Sequence, residues 1–219
     1  MTKQDEIMKE SEMQILRPFG PSIGKIKIPQ KLIETLNNYA DKIIDDEKKS
    51  RELDWGKNLA GNVRQEFRLE EDFVKKSGWL DFLAQAVQNW IKNSQNQKIT
   101  SFHVMNSWII RQFKNEYNPI HWHSGHVSGV GYLKVPENLG KSSQEIKGDN
   151  TNGCLELIHG SRMFLSQSKL TIKPEVGIFY LFPNYLMHSV YPFIDSDEER
   201  RSISFNAKID DGIFNVYTS

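Results

Sequence analysis

The chain has 219 residues and a single cysteine, Cys154. One thiol excludes any intrachain disulfide and points to a reducing compartment. The chain also lacks a charge bias, because 28 Lys and Arg offset 28 Asp and Glu. No global field therefore steers it to nucleic acid or to an anionic membrane. No apolar run approaches the roughly 20 residues that a membrane-crossing helix needs. The opening, MTKQDEIMKESEMQIL, has no apolar centre of the kind a secretory signal carries. Together these absences predict a cytoplasmic protein with neither a membrane nor a nucleic acid as partner. Internal repeats are absent as well. So is histidine from the first hundred residues: all six lie from His103 onward, and three crowd positions 121 to 126.

What is present divides the chain in two. A hydrophobic content of 38% over this length suits one domain, 1–219. Residues 1 to about 12 are charged and read as loose. KIKIPQKL reads as a short strand with Pro29 placed to open a helix. LIETLNNYADKIIDDEKK then sets Leu32, Ile33, Leu36, Tyr39, Ala40, Ile43 and Ile44 at helical spacing. The stretch from about 52 to 70 is mixed and gives no clear element. WLDFLAQAVQNWIKNS reads as a second amphipathic helix. From 101 the texture changes to β-branched and aromatic runs broken by turn residues: FHVMNSWIIRQF, VSGVGYLKV, GCLELI, KLTIK, GIFYLFP, HSVYPF and RRSISFNAKI. Such spacing predicts an all-β sandwich or barrel. The expectation is a mostly helical part, 1–100, packed on a β core, 101–210. Between two strands lies PENLGKSSQEIKGDNTNG, a polar insert long enough to act as a lid or binding loop.

The histidines carry the chemistry. His121 and His123 in PIHWHSGH stand two apart, so a strand would place both imidazoles on one face and Trp122 on the other. Neutral imidazole is the commonest metal-binding side chain. His188, in LFPNYLMHSVYPF, can supply a third ligand from a distant strand. His126 breaks the alternation at a turn and stays an alternative ligand. His103 and His159 read as structural, and Cys154 as a small buried residue.

NPIHWHSGHVSGVGYL, then NGCLEL, then IKPEVGIFYLFPNYLMHSVYPF, then EERRSISFN resembles the 2-oxoglutarate- and Fe(II)-dependent oxygenase superfamily. The likeness is to a microbial and phage-type group related to prolyl hydroxylases, and it covers 101–210. It implies a mainly β fold with flanking helices, a double-stranded β-helix of the jelly-roll, cupin-like kind. It also implies iron held by His-x-Asp or His-x-Glu and a later histidine, with positions left open for 2-oxoglutarate and oxygen. Carried over, the ligands are His121, His123 and His188. His123 is the departure, standing where the superfamily has a carboxylate; Glu156 is a carboxylate alternative from another strand.

The resemblance further places a cation for the far carboxylate of 2-oxoglutarate shortly after the late histidine. Arg200 and Arg201 both qualify. Alternation groups Arg200 with Ser202, Ser204 and Asn206 on a polar face, and Arg201 with Ile203 and Phe205 on an apolar one. We take Arg200 as the anchor, Ser204 as a hydrogen-bonding helper, and Arg201 as lying at a solvated end of its face. Tyr132 matches a family tyrosine that donates to the same carboxylate. Trp108 is assigned to packing and, with Asn118, lies in a stretch that also resembles the group. The implied reaction oxidatively decarboxylates 2-oxoglutarate and hydroxylates a small-molecule, amino-acid or peptidyl substrate, prolyl among the candidates, with ascorbate as an auxiliary reductant. Two rivals stand: a three-histidine cupin-type dioxygenase that does not use 2-oxoglutarate, and a non-catalytic metal-binding barrel.

Overall fold

The computed structural model describes residues 13–16, 20–142 and 150–217. Two antiparallel sheets face one another. Into the larger go β1 (Gln14–Leu16), β2 (Ile23–Lys27), β3 (Gln65–Arg68), β4 (Phe102–Gln112), β6 (Val127–Lys134), β9 (Ile178–Pro183) and β11 (Arg200–Ile209), in the order β1-β2-β9-β6-β11-β4-β3. The smaller holds β5 (Asn118–His121), β7 (Leu155–Ile158), β8 (Lys169–Ile172) and β10 (Met187–Val190), in the order β5-β10-β7-β8. This is the jelly-roll arrangement expected from 101–210. The first hundred residues do more than pack on it, because β1, β2 and β3 extend both edges of the larger sheet. The mixed stretch 52–70 supplies β3 and a single turn of 3-10 helix, Gly56–Asn58.

Alternation along each strand creates two cores. On the outer face of the larger sheet lie Ile109, Phe179, Leu181, Ile203 and Phe205, packed under α1 (Gln30–Ile44) and, after the short α2 (Glu47–Glu52) and α3 (Glu71–Lys76), α4 (Trp79–Gln95). The helices offer matching stripes, Leu32, Ile33, Leu36 and Ala40 from α1, and Phe82, Leu83, Ala86 and Val87 from α4. Pro29 stands at the N-cap of α1, just ahead of its first turn. The Trp79 indole N–H donates to Ser107 Oγ at 3.0 Å, and Ser107 Oγ to the Ser204 carbonyl at 2.7 Å, which ties helix to sheet. Between the sheets, Ile23, Tyr132, Leu155, Leu157, Ile172 and Phe182 form the second core. β6 can lie flat under the aromatic layer because it carries Gly129. A Cβ there would stand 2.7 Å from both a Phe205 ring carbon and the Tyr180 carbonyl oxygen.

Arg201 corrects one expectation. It is not solvated at all: only 1% of it is exposed. Its guanidinium grips Glu199 through Nε at 2.6 Å and Nη2 at 3.0 Å, reaches Asp41 of α1 at 2.7 Å, and donates to Asn37 Oδ1 at 3.0 Å. The apolar face that carries Arg201 runs under α1, so the charge is neutralised by carboxylates rather than by water. Burial by itself would raise the Glu199 carboxyl, but hydrogen bonds from Arg201 and Arg111 outweigh it and hold its pKa below the ordinary 4.5. A depressed carboxylate stabilises the fold above its unfolded pKa, and that contribution is lost as pH falls through the folded value. Glu199→Gln should therefore cost roughly 1–3 kcal/mol at pH 7, the worth of a charged hydrogen bond. Its denaturation midpoint should also fall less steeply than wild type below about pH 4.5. Urea melts of both proteins from pH 7 to pH 3 check this; parallel curves would mean that Glu199 is not the coupled group.

Candidate metal centre and cosubstrate pocket

β5 and β10 pair so that His121 stands directly opposite His188. Opposed residues on one face bring their Cβ atoms to about 5 Å. The ring centroids of His121 and His188 accordingly lie 4.2 Å apart. His123 is not in the strand, which ends at His121. It is placed instead by the turn between β9 and β10: its N–H donates to the Asn184 carbonyl at 3.0 Å, and Asn184 Nδ2 returns a bond to its carbonyl at 3.1 Å. The rings converge although His123 lies outside the strand from which alternation was to place it. One potential ligand atom from each of the three histidines lies within 4.8 Å of the others. Trp122 projects outward, 66% exposed.

The proton positions suit a cation. His121 Nδ1 lies 2.7 Å from the Pro119 carbonyl, and His188 Nδ1 lies 2.9 Å from the Leu186 carbonyl. A carbonyl only accepts, so Nδ1 carries the hydrogen in each ring and Nε2 keeps its lone pair for a metal. His188 Nε2 and His123 Nε2 approach to 3.2 Å. Burial lowers the pKa of all three rings, helped at His123 by the other two imidazoles. His123 is pushed down to about 3 and His188 to about 4. They are neutral at pH 7, the form that coordinates.

The alternatives lie elsewhere. His126 is buried, with Nδ1 within 3.1 Å of the Ile209 backbone N–H and its ring stacked on Phe214 at 3.9 Å. Glu156 pairs across the sheet with Ser189, one residue along from His188, so it points to the opposite face. There it meets Lys169 at 2.8 Å and the Tyr191 hydroxyl at 3.1 Å.

The pocket beside the histidines is lined from both sheets, by Trp108, Ile110, Gln112, Asn118, Arg200 and Ser204 among others. Trp108 packs its ring edge-on to His123, at 5.6 Å between centroids. Arg200 is 2% exposed and, among the described residues, has no ion pair. Nη1 donates to Gln112 Oε1, its Nε has no partner, and its guanidinium lies 5.2 Å from the centre of the Tyr132 ring. The Tyr132 hydroxyl is fully buried and also unpartnered. Burial raises the Tyr132 phenol and lowers the Arg200 guanidinium from their ordinary values. A buried cation and a buried hydroxyl, each with a donor to spare, fit an anionic ligand. Sequence reasoning missed Gln112, although WIIRQ places it by alternation on the face of Trp108 and Ile110. It also missed Phe182, whose ring stands edge-on to His188 at 5.1 Å.

The family model described as "Putative 2OG-Fe(II) oxygenase" matches residues 106–206. Over that span, a little under half of the chain, the sequence is similar to the 2OG-Fe(II) oxygenase family. The segment includes all three histidines, Tyr132, Arg200 and Ser204. No curated protein matches the sequence. Solved structures agree in fold. A Pseudomonas putida prolyl-4-hydroxylase aligns with a TM-score of 0.56 at 14% identity, covering 93% of this chain and 96% of that one. The viral collagen prolyl hydroxylase of Paramecium bursaria Chlorella virus-1, in complex with 2OG, gives 0.53 at 14%, covering 84% and 94%. A prolyl hydroxylase from Trichoplax adhaerens gives 0.52 at 13%, covering 99% and 91%. No helix among the described residues is long and apolar enough to cross a membrane.

Proposed function

We propose that this oxygenase couples the oxidative decarboxylation of 2-oxoglutarate to hydroxylation of an amino-acid or peptidyl substrate, with prolyl groups among the candidates. His121, His123 and His188 would hold Fe(II). Arg200, with Tyr132 and Ser204, would hold the far carboxylate of 2-oxoglutarate. Bound iron supplies oxygen activation, and the balance is 2-oxoglutarate, O2 and R–H giving succinate, CO2 and R–OH. The protein's own part is binding and orientation. The carbonyls of Pro119 and Leu186 aim two imidazoles, Gln112 holds Arg200, and Trp108 and Phe182 wall the histidines from bulk water. No side chain need transfer a proton.

The observation that carries this reading is one pocket with two complementary groups: three neutral imidazoles converging on a point, and a buried guanidinium that pairs with no carboxylate among the described residues. The test is succinate formation from 2-oxoglutarate with Fe(II), ascorbate and O2. Succinate should appear even without an added substrate, and its absence under all these conditions would sink the proposal. The third histidine favours a second reading, a three-histidine dioxygenase that leaves Arg200 idle. That reading requires that 2-oxoglutarate does not raise the melting temperature of the metal-loaded protein; on ours it does.

A further inference from the structure

Glu66 is a buried carboxylate that the chemistry above does not use. It is 2% exposed, its Oε1 has no hydrogen-bond partner, and among the described residues it has no ion pair. β3 pairs Glu66 with Ile110, so it lies on the sheet face that turns Trp108, Ile110 and Gln112 into the pocket. Arg64 and Arg68, two residues to either side of it in sequence, are committed elsewhere. Arg68 lies over the Trp55 ring at 4.8 Å, and Arg64 pairs with Glu116 at 3.6 Å. The charge that acts on Glu66 is instead another acid, the exposed Asp54. Burial first, then Asp54, pushes the Glu66 carboxyl up to about 7.

Two glycines cradle this carboxylate. A Cβ at Gly61 would stand 2.9 Å from Glu66 Oε1 and 3.1 Å from Asn118 Nδ2, and one at Gly56 would stand 3.7 Å from Glu66 Oε2. Neither glycine has a positive φ. The backbone would accept a side chain at both positions, so what glycine provides here is room beside the acid. Asn118 joins this cradle to the metal pocket, since it lines the pocket and opens the strand that carries His121.

We propose that Glu66, with Asn118 beside it and Asp54 at its mouth, is the subsite for a cationic group of the substrate, a guanidinium or ammonium. This rests on the reading of the pocket as an oxygenase site and adds the substrate's charge to it. A buried acid with no counter-charge gains most from a ligand that brings one. Asn118 and His121 oppose Val190 and His188, two residues apart on β10 because β5 bulges between them, which separates them by about 7 Å at strand rise. The substrate is therefore extended, with its cation at one end and the carbon to be oxidised toward the metal.

Calorimetric titration of the Fe(II)-loaded protein without oxygen tests this. 2-Oxoglutarate is added first, then either N-acetyl-L-argininamide or N-acetyl-L-citrullinamide, which differ in side-chain charge and little in shape. Wild type should bind the arginine probe at least tenfold more tightly. Glu66→Gln, a neutral isostere, should erase the difference while keeping melting temperature and 2-oxoglutarate affinity. Gly61→Ala, which fills the cradle, should erase it too. Equal binding of the two probes to wild type, binding of neither, or discrimination that survives Glu66→Gln would overturn the proposal. Failure of 2-oxoglutarate itself to bind would instead overturn the oxygenase reading, and the first titration reports that separately.

Discussion

Arg200→Ala should lose 2-oxoglutarate while keeping metal. The native guanidinium is buried, balanced by no acid among the described residues, and supported by one glutamine and one aromatic ring. Such a group is costly to maintain unless a ligand neutralises it. With the arginine truncated, the far carboxylate of 2-oxoglutarate would enter a low-dielectric pocket with nothing to pair it. Removing one partner of a buried pair costs about 3–5 kcal/mol, or roughly two to four decades in affinity. No hydrogen bond links this side chain to the three histidines, so iron content should stay near wild type. Arg201→Ala is the control one residue away. It breaks the Glu199–Asp41 network and should cost stability, but leave 2-oxoglutarate affinity within a few-fold. The contrast also tests register, because a one-residue slip would exchange the two faces of β11. If Arg201→Ala lost the cosubstrate and Arg200→Ala kept it, the pocket assignment would be wrong. Titration of each metal-loaded variant with 2-oxoglutarate decides between them.

Replacing the histidines should have the second large effect. His188→Ala removes the most buried of the three rings. Loss of an outer partner alone commonly costs 10–100-fold in metal affinity, so loss of the ligand should cost at least about 100-fold. His123→Ala should weaken iron binding as well. His123→Asp carries the sharper test. Three imidazoles leave the +2 charge of the ion uncompensated by the protein, and a carboxylate at 123 adds attraction to it. That variant should retain iron, or hold it more tightly, although the shorter side chain shifts the donor atom. Elemental analysis after anaerobic reconstitution with Fe(II) and desalting gives the order. Equal iron in wild type and His123→Ala, with equal succinate output, would remove His123 from the ligand set.

Much of this was legible in one dimension, because strand alternation is a local rule. Two-residue spacing put Arg200, Ser202 and Ser204 on one face of β11 and Arg201 on the other, and the structure keeps that division. The apolar stripes of α1 and α4 were legible for the same reason. Tertiary structure decided whatever depends on which distant segments meet. His123 lies past the end of its strand, and the Asn184 turn rather than alternation aims its ring. Glu156 is buried yet faces away from the metal point, because β7 pairs with β10 in the register that sets Leu157, not Glu156, opposite His188. Arg201 looked solvated within a run of charges, but α1 closes over it and supplies Asp41. Glu66 gave no signal within the mixed stretch 52–70, since its burial comes from β3 pairing with β4 and from the loop carrying Gly56 and Gly61. Which side chains share a strand face follows from local backbone geometry and can be read from residue order. Only the fold decided which faces meet and which charges are left unpaired, since burial and pairing are set by neighbours far apart in the chain.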